Sequence, residues 1–278
     1  MASEILKNHK ILLFGNNGDF RAAEAAKKVY EVCNRHNIDV STTDTDDADF
    51  AVCLGGDGTF LDVAGKIGNS NIPILGINTG HLGFLAAFAP EEIEEVFEAL
   101  CTENQNMCKI QARSVLEISC DDEKISDCPF ALNEVAVLKH DISSMISIET
   151  YIGGEYLTTY QADGLIIGTP TGSTAYSLSV GGPVIVPELH TIALTPVAPH
   201  SLNMRPVVLS GESEIDLTVH SRSGSFLISL DGRSGSFRDN IRLHIKNAPY
   251  TVKVITRADQ SFYSTLRQKM FWGSDSRR

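Results

Sequence analysis

The spacing of apolar residues changes once along the chain, near residue 107, and that change restricts the fold more than any other feature. Before it, short apolar runs alternate with helical spacing. Residues 10–14 read as a strand followed by a Gly/Asn turn, and residues 20–36 repeat Ala22, Ala25, Ala26, Val29, Val32 and Cys33 at helical intervals. Residues 50–54 form a strand of the fully buried type, 60–67 a helix, 72–77 a strand, and 90–100 a helix with proline at its start and acids in its first turn. Such alternation builds a parallel sheet flanked by helices. After residue 107 the segments 115–120, 130–138, 145–152, 155–160, 165–167, 191–196, 207–209, 214–219, 226–230, 241–246 and 251–255 all read as strands, and only 174–180 has room for a short helix. Residues 1–106 are therefore expected as an α/β domain and 107–261 as a β-rich domain of largely antiparallel sheet. The tail carries helical spacing at Phe262, Leu266 and Met270, so 262–278 is expected to join the first domain.

Leu54-Gly55-Gly56-Asp57-Gly58-Thr59 lies between a buried strand and a helix. Its glycines allow close approach of a ligand to the backbone, and N–H groups at the following helix start favour phosphate. The turn sits where open α/β sheets bind ligands, beyond the carboxyl end of a parallel strand. It matches neither GxxxxGK[ST] nor GxGxxG. Asp57 is the unusual member, because a carboxylate repels phosphate unless it acts as a general base or stands beside a metal. The plainer reading makes Asp57 a cap on the helix. A second glycine-rich turn, residues 78–84, follows the next strand, and its His81 reads as a structural histidine.

Asn133 and Glu134 interrupt an apolar strand, and burying either without partners would cost about 2–7 kcal/mol. Neighbouring strand residues face opposite sides, so a bulge or strand end is needed to aim both at one ligand. Asp163 then opens an uncharged stretch, residues 164–187, with three prolines and five glycines. That composition makes a poor membrane helix. Its small residues leave room for a flat ring, its hydroxyls offer neutral hydrogen bonds, and Tyr176 can stack on a base, so the stretch suits a nucleoside. A plain Ser/Thr-rich loop is the alternative.

Charge narrows the partners. The 278 residues hold 23 Lys and Arg against 35 Asp and Glu, a formal net charge of −12. A surface that acidic repels nucleic-acid backbones and anionic lipid at long range, so no nucleic-acid or membrane partner is expected. Six cysteines, all in the first half and none in a CxxC pair, read as free thiols of a cytoplasmic protein rather than a disulfide scaffold. Spacing gives no zinc site, and the N-terminal apolar run is too short for a signal peptide.

GGDGT, the Asn133-Glu134 pair, the TPTGSTAYSLS block over 169–179 and the segment 198–206 occur in one order, and in that order the chain resembles bacterial NAD kinases from Lys10 to about Phe262. GGDGT alone also resembles phosphofructokinases and lipid kinases. The resemblance implies a Rossmann-like α/β domain followed by a β-sandwich-like domain, and transfer of the γ-phosphoryl of ATP to the 2′-hydroxyl of the adenosine ribose of NAD. It implies Asp57 as general base, with Gly55, Gly56, Gly58 and Thr59 along phosphates. Asp57, Gly58, Asn133, Glu134, Ser144, Asp163, Thr174, Ala175, Tyr176, Ser177, Leu178, Ser179 and Ala198 are implied as NAD contacts, with Ala198 reaching the substrate of a neighbouring subunit. It further implies a homodimer or homotetramer, and Mg or Mn brought with ATP rather than held by protein ligands alone.

Three positions depart from the family pattern. Asp62 and Gln161 stand where many members have basic residues, and Arg233 stands where many have Gln. Arg205 and Arg233 are the candidate replacements for the missing charge. Two other functions are compatible with parts of the pattern: a lipid or sugar kinase of the wider GGDGT group, which needs a different second domain, and a non-catalytic NAD(P) sensor, which would not need Asp57.

Overall fold

The computed structural model describes residues 6–15, 19–43, 47–80, 83–102, 107–121, 124–141 and 144–271. His81 lies outside the described residues. In chain order the elements are β1 (Lys10–Gly15), α1 (Phe20–His36), β2 (Asp39–Ser41), β3 (Phe50–Leu54), α2 (Asp57–Ile67), β4 (Ile74–Ile77), a 3-10 turn (Pro90–Glu92) running into α3 (Ile93–Cys101), β5 (Cys108–Cys120), β6 (Phe130–Ala131), β7 (Glu134–Lys139), β8 (Ile146–Ile152), β9 (Glu155–Ala162), β10 (Gly164–Gly168), a 3-10 turn (Thr171–Thr174), α4 (Tyr176–Ser179), β11 (Thr191–Val197), β12 (Val207–Ser210), β13 (Ile215–Ser221), β14 (Ser225–Leu230), β15 (Arg233–Arg238), β16 (Arg242–Arg257) and α5 (Phe262–Met270). They fall into two compact units, Met1–Ala112 with Val252–Arg278, and Arg113–Thr251. Both crossings lie inside strands, β5 and β16. The boundaries expected from the sequence, 106/107 and 261/262, fall before β5 and after β16.

The first unit is a parallel sheet in the order β2-β1-β3-β4, with the end of β16 beside β4. Every residue of β3 is buried, as a strand covered on both faces requires. Ala22, Ala25, Val29 and Val32 of α1 and Ile93, Val96, Phe97 and Leu100 of α3 pack with Ile11, Val52 and Leu75 of the sheet. Each such fully buried aliphatic or Phe side chain contributes about 1.5–3 kcal/mol. Phe60, Val63, Ala64 and Ile67 of α2 are buried outside that cluster, against the alternate sheet face. β2 and β3 flank β1 on opposite sides, so the strand order reverses beside β3. The carboxyl end of β3 thus borders a topological switch point.

The second unit is built from two sheets. One has the order β12-β11-β10-β7-β14-β15 and is antiparallel throughout. The other contains β13 between β8 and the start of β16, with β9 beside β8, and is also antiparallel. Val135, Leu165, Leu194 and Ile228 of the first sheet share one core with Ile148, Leu217 and Leu243 of the second. α/β followed by an all-β sandwich is the fold class read from the sequence.

β2 and β15 have no counterpart in that reading, β5 begins at Cys108 rather than residue 115, and three further differences bear on the site and on the division into units. α2 begins at Asp57 rather than residue 60; its start is hidden in the sequence by poor helix formers, the glycines at its N-cap and first turn. The run 130–138 is two strands separated by Leu132 and Asn133. Segments 241–246 and 251–255 are one strand, β16, whose residues 242–245 pair with β13 and whose Val254 and Ile255 pair with β4. Asn247 and Pro249 signal a turn locally, yet the strand continues through them.

Candidate functional site

Asp57 is the first residue of α2, with Gly56 as N-cap and no side-chain cap on the helix. The capping role that sequence allowed for Asp57 is therefore absent. Its carboxylate reaches across to the second glycine-rich loop instead. Oδ2 accepts from Phe84 N–H (2.7 Å), and Oδ1 accepts from Leu85 N–H (3.0 Å) and Ala86 N–H (3.1 Å). Gly83 makes this approach possible, since a Cβ there would collide with Oδ1. An ionised carboxylate has about four acceptor positions. Among the described residues three are filled, which leaves one on Oδ2 for a hydroxyl.

The glycines of the turn divide by role. Gly55 donates its N–H to Ile77 (3.0 Å), and a Cβ there would collide with the Thr59 side chain folded over the turn. Gly56 and Gly58 are different, because a Cβ on either would meet nothing within 4 Å. Neither internal packing nor a positive φ explains glycine there. The first bond into the helix is Phe60 N–H to Gly56 (3.0 Å), so the N–H groups of Asp57, Gly58 and Thr59 have no intrahelical acceptor. Open space, orphan N–H groups and the helix dipole together favour an anion at this turn. The Cys53 thiol below it is pushed up to about 12 by burial, with Asp57 and Asp62 adding to the effect, so it supplies no thiolate nucleophile.

The C-terminal helix adds a group that no sequence motif singles out. Phe262 of α5 packs on Phe84 (6.4 Å between ring centroids), and the Lys269 ammonium stands 4.7 Å from the centre of the same Phe84 ring. Burial pulls the Lys269 pKa down, while the charge of Asp57 pushes it up. A cation from far along the chain thus lies close enough for the charge of Asp57 to act on it. No group of three or more His, Cys, Asp or Glu among the described residues is arranged to hold a metal ion. A divalent ion here would therefore have to arrive already bound to nucleotide phosphates, with the Asp57 carboxylate at the helix start beside it.

In the second unit Asn133 and Glu134 stand at the break between β6 and β7, exposed by only 9% and 8%. Asn133 O accepts from Thr169 N–H (2.9 Å), Thr169 Oγ1 donates to Leu132 O (2.6 Å), and Gly172 lies so close to Asn133 that a Cβ would collide with its carbonyl. Burial, reinforced by Asp231, raises Glu134 to about 7, against one opposing hydrogen bond from Tyr176 N–H. Its Oε2 is buried with no hydrogen-bond partner. Such an orphan acceptor in a folded chain is what a hydroxyl of a ligand would satisfy.

The uncharged stretch is folded differently from its reading as a hydroxyl lining. Thr169, Ser173 and Ser177 are 0–1% exposed. Ser173 Oγ donates to Pro170 O (2.7 Å) and accepts from Ile185 N–H (3.0 Å), and Ser177 Oγ pairs with Thr195 Oγ1 (2.9 Å). These hydroxyls brace the segment. Thr174, Ala175, Tyr176, Leu178 and Ser179 remain accessible, with Tyr176 38% exposed.

The remaining implied contacts gather at the opposite end of the same strands. Gly168 of β10 pairs with Glu134, whereas Gly164 pairs with Leu138 and Val197. Four residue steps separate these ends, about 14 Å. At the far end Asp163 pairs with Lys139 (2.7 Å), and Ala198 adopts φ 44°, which a residue with a Cβ rarely takes. Ser144 and Gln161 line a cavity of about 370 Å³ with Met145, Ser147, His220, Ser221 and Arg222. Within the second unit the implied set is thus two clusters, one around Glu134 and one around Asp163. Of the candidate replacement cations, Arg205 is exposed and donates to Leu202 O (2.8 Å) and Met204 O (2.7 Å). Arg233 is half-buried rather than a surface arginine, and donates to the carbonyls of Leu230, Cys128 and Phe130, so three of its five N–H donors are taken up within the chain.

A parallel-sheet turn that offers N–H groups to phosphate and an acid to a hydroxyl is the arrangement of a phosphotransferase acting on a small molecule. Residues 7–105 match the ATP-NAD kinase N-terminal domain and residues 132–257 the ATP-NAD kinase C-terminal domain. The chain belongs to the NAD kinase family. It is 58% identical over 231 residues to an NAD kinase of Bacteroides fragilis, covering 83% of this chain and 79% of that one. It is 46% identical to an NAD kinase of Flavobacterium psychrophilum, covering 81% and 76%. Among solved structures, yeast NADH kinase complexed with NADH superposes with a TM-score of 0.85 at 25% identity, covering 96% of this chain and 88% of that one. An Archaeoglobus fulgidus NAD kinase in complex with ATP superposes with a TM-score of 0.74 at 27% identity, covering 88% and 92%. Membership excludes the lipid-kinase and sugar-kinase readings. No helix among the described residues is long and apolar enough to cross a membrane.

Proposed function

We propose that this chain phosphorylates NAD at the 2′-hydroxyl of its adenosine ribose with ATP as donor, and that Asp57 is the base. The observation that carries this reading is the open acceptor position on Asp57 Oδ2 beside the unpartnered N–H groups of a helix start. The ribose hydroxyl donates to Oδ2. As its oxygen attacks the γ-phosphorus the proton passes to Asp57, the new O–P bond forms, and the bond to the ADP oxygen breaks. Backbone N–H groups at Gly56, Asp57, Gly58 and Thr59 hold phosphate oxygens, and Lys269 offsets their charge. A divalent metal bound to ATP supplies further charge neutralisation.

Asn133 and Glu134 hold the adenosine ribose, Oε2 of Glu134 accepting from a hydroxyl, while Tyr176 and its neighbours lie along the base. The cluster of Ser144, Asp163 and Ala198 serves the nicotinamide end, and a second copy of the chain in a dimer or tetramer brings that cluster to its neighbour's dinucleotide. Six free cysteines support a reducing, cytoplasmic setting.

Incubation with NAD, ATP and Mg²⁺, followed by a coupled assay for NADP, tests the reading. NADP should accumulate in proportion to enzyme. Failure to phosphorylate either NAD or NADH with ATP or polyphosphate overturns it.

A further inference from the structure

Asp231 and Gly232 form the two-residue turn between β14 and β15, with φ of 49° and 86°. Asp-Gly suits a hairpin turn that needs positive φ at both positions. The turn alone would leave the Asp231 side chain facing solvent. It instead points at the break between β6 and β7. Oδ2 accepts from Leu132 N–H (2.7 Å), and Oδ1 accepts from Asn133 N–H (2.8 Å) and Glu134 N–H (3.1 Å). Asp231 N–H donates back to Glu134 O (3.2 Å).

Arg233 grips the same segment through groups of the opposite polarity. Its guanidinium donates to Cys128 O (3.1 Å) and Phe130 O (2.6 Å), and to Leu230 O (3.2 Å) of its own hairpin. Leu132 and Asn133 have left the ladder, so their N–H groups need acceptors from elsewhere. Three consecutive N–H groups converging on one carboxylate fix three peptide planes, and with them the directions in which Asn133 and Glu134 leave the backbone.

We propose that the Asp231-Gly232-Arg233 turn is a positioning device for the substrate-holding pair Asn133-Glu134, acting through the backbone without touching substrate. The proposal rests on the reading of that pair as the ribose-binding residues. The turn has a second effect. Asp231 and the Tyr176 N–H are the groups that act on the buried Glu134 carboxyl, and Asp231 brings a like charge, which holds the Glu134 proton on. Removing that charge lets Glu134 ionise at lower pH.

Two measurements on Asp231→Asn test this. In amide hydrogen exchange, protection of Leu132, Asn133 and Glu134 should be lost while the rest of the second unit stays protected. In steady-state kinetics, KM for NAD should rise about tenfold or more, equivalent to about 1.4 kcal/mol, with kcat and KM for ATP nearly unchanged. The acid limb of kcat/KM for NAD should also move to lower pH. Arg233→Lys keeps the charge and loses the fork, so it should raise KM for NAD in the same direction with the pH limb unmoved. Retained amide protection in Asp231→Asn overturns the proposal. So does lost protection with an unchanged KM for NAD, or a fall in kcat for both substrates together. If Asp231→Asn does not fold, Arg233→Lys decides by the same exchange and KM readings. Lack of turnover in the unmutated enzyme would reject the ribose-binding reading, and exchange would still decide whether the turn positions the pair.

Discussion

Asp57 accepts three backbone N–H bonds, whereas Glu134 accepts one and keeps Oε2 buried without a partner. Their predicted phenotypes differ accordingly. Asp57→Asn keeps an acceptor for part of the 84–86 loop but removes the base, so kcat should fall by about 10²–10⁴-fold with NAD affinity retained. Rapid-quench kinetics beside calorimetric NAD titration separates the two, and near-normal turnover would remove Asp57 as base. For Glu134 the folded-state value near 7 lies above the ordinary 4.5, so the folded chain holds a proton that the unfolded chain has lost. That stabilisation is complete below about pH 4.5 and is lost as pH rises through about 7. Relative to Glu134→Gln, the native sequence should lose about 2–3 kcal/mol between pH 5 and pH 8. Urea unfolding of both proteins at both pH values measures it, and parallel curves would reject the burial effect. Asp57, Asn133 and Glu134 were legible in the sequence because each is a polar residue where its neighbours call for an apolar or glycine one. Asp231 and Lys269 were not. A turn aspartate and a helix lysine look ordinary until residues some 100 or more positions away are placed beside them.

At the scale of elements, two glycines make opposite predictions. Nothing in the fold obstructs a Cβ at Gly58, which lies in the first turn of α2. Gly58→Ala should therefore leave the melting temperature unchanged or raised, since alanine favours helix by about 0.8–1 kcal/mol. Turnover should nevertheless fall, because the methyl occupies space proposed for phosphate. Gly172→Ala drives a methyl into the Asn133 carbonyl and should destabilise by about 1–3 kcal/mol. Thermal melts and kcat/KM for the two variants check both, and equal melting losses would refute the division. Most elements were legible, α1 and β3 most clearly, because each carries its period over its whole length. β15 escaped notice because RSGSFR presents one buried residue, Phe237. The break in 130–138 could be anticipated only as a bulge or strand end, since its acceptor, Asp231, comes from another hairpin.

At the scale of the molecule, a formal charge of −12 meets substrates that are themselves anions. Like charges slow encounter at low ionic strength, and screening relieves them as the Debye length falls from about 30 Å at 0.01 M to 8 Å at 0.15 M. At fixed free Mg²⁺, kcat/KM for ATP should rise modestly with salt over that range. A steep fall would show that a basic patch governs encounter instead. The α/β and β-rich halves were legible from apolar spacing alone. The points where the chain crosses between them were not, because β5 and β16 cross without a loop. The hydrogen bonds of Asp231 also bear on how the protein is made. Its partners Leu132, Asn133 and Glu134 precede it by 97–99 residues. A nascent chain carries the whole Asn-Glu motif long before it carries the acceptor for that motif's amides. Synthesis stalled before residue 231 would leave a polypeptide with every recognisable signature and an unformed substrate-holding segment.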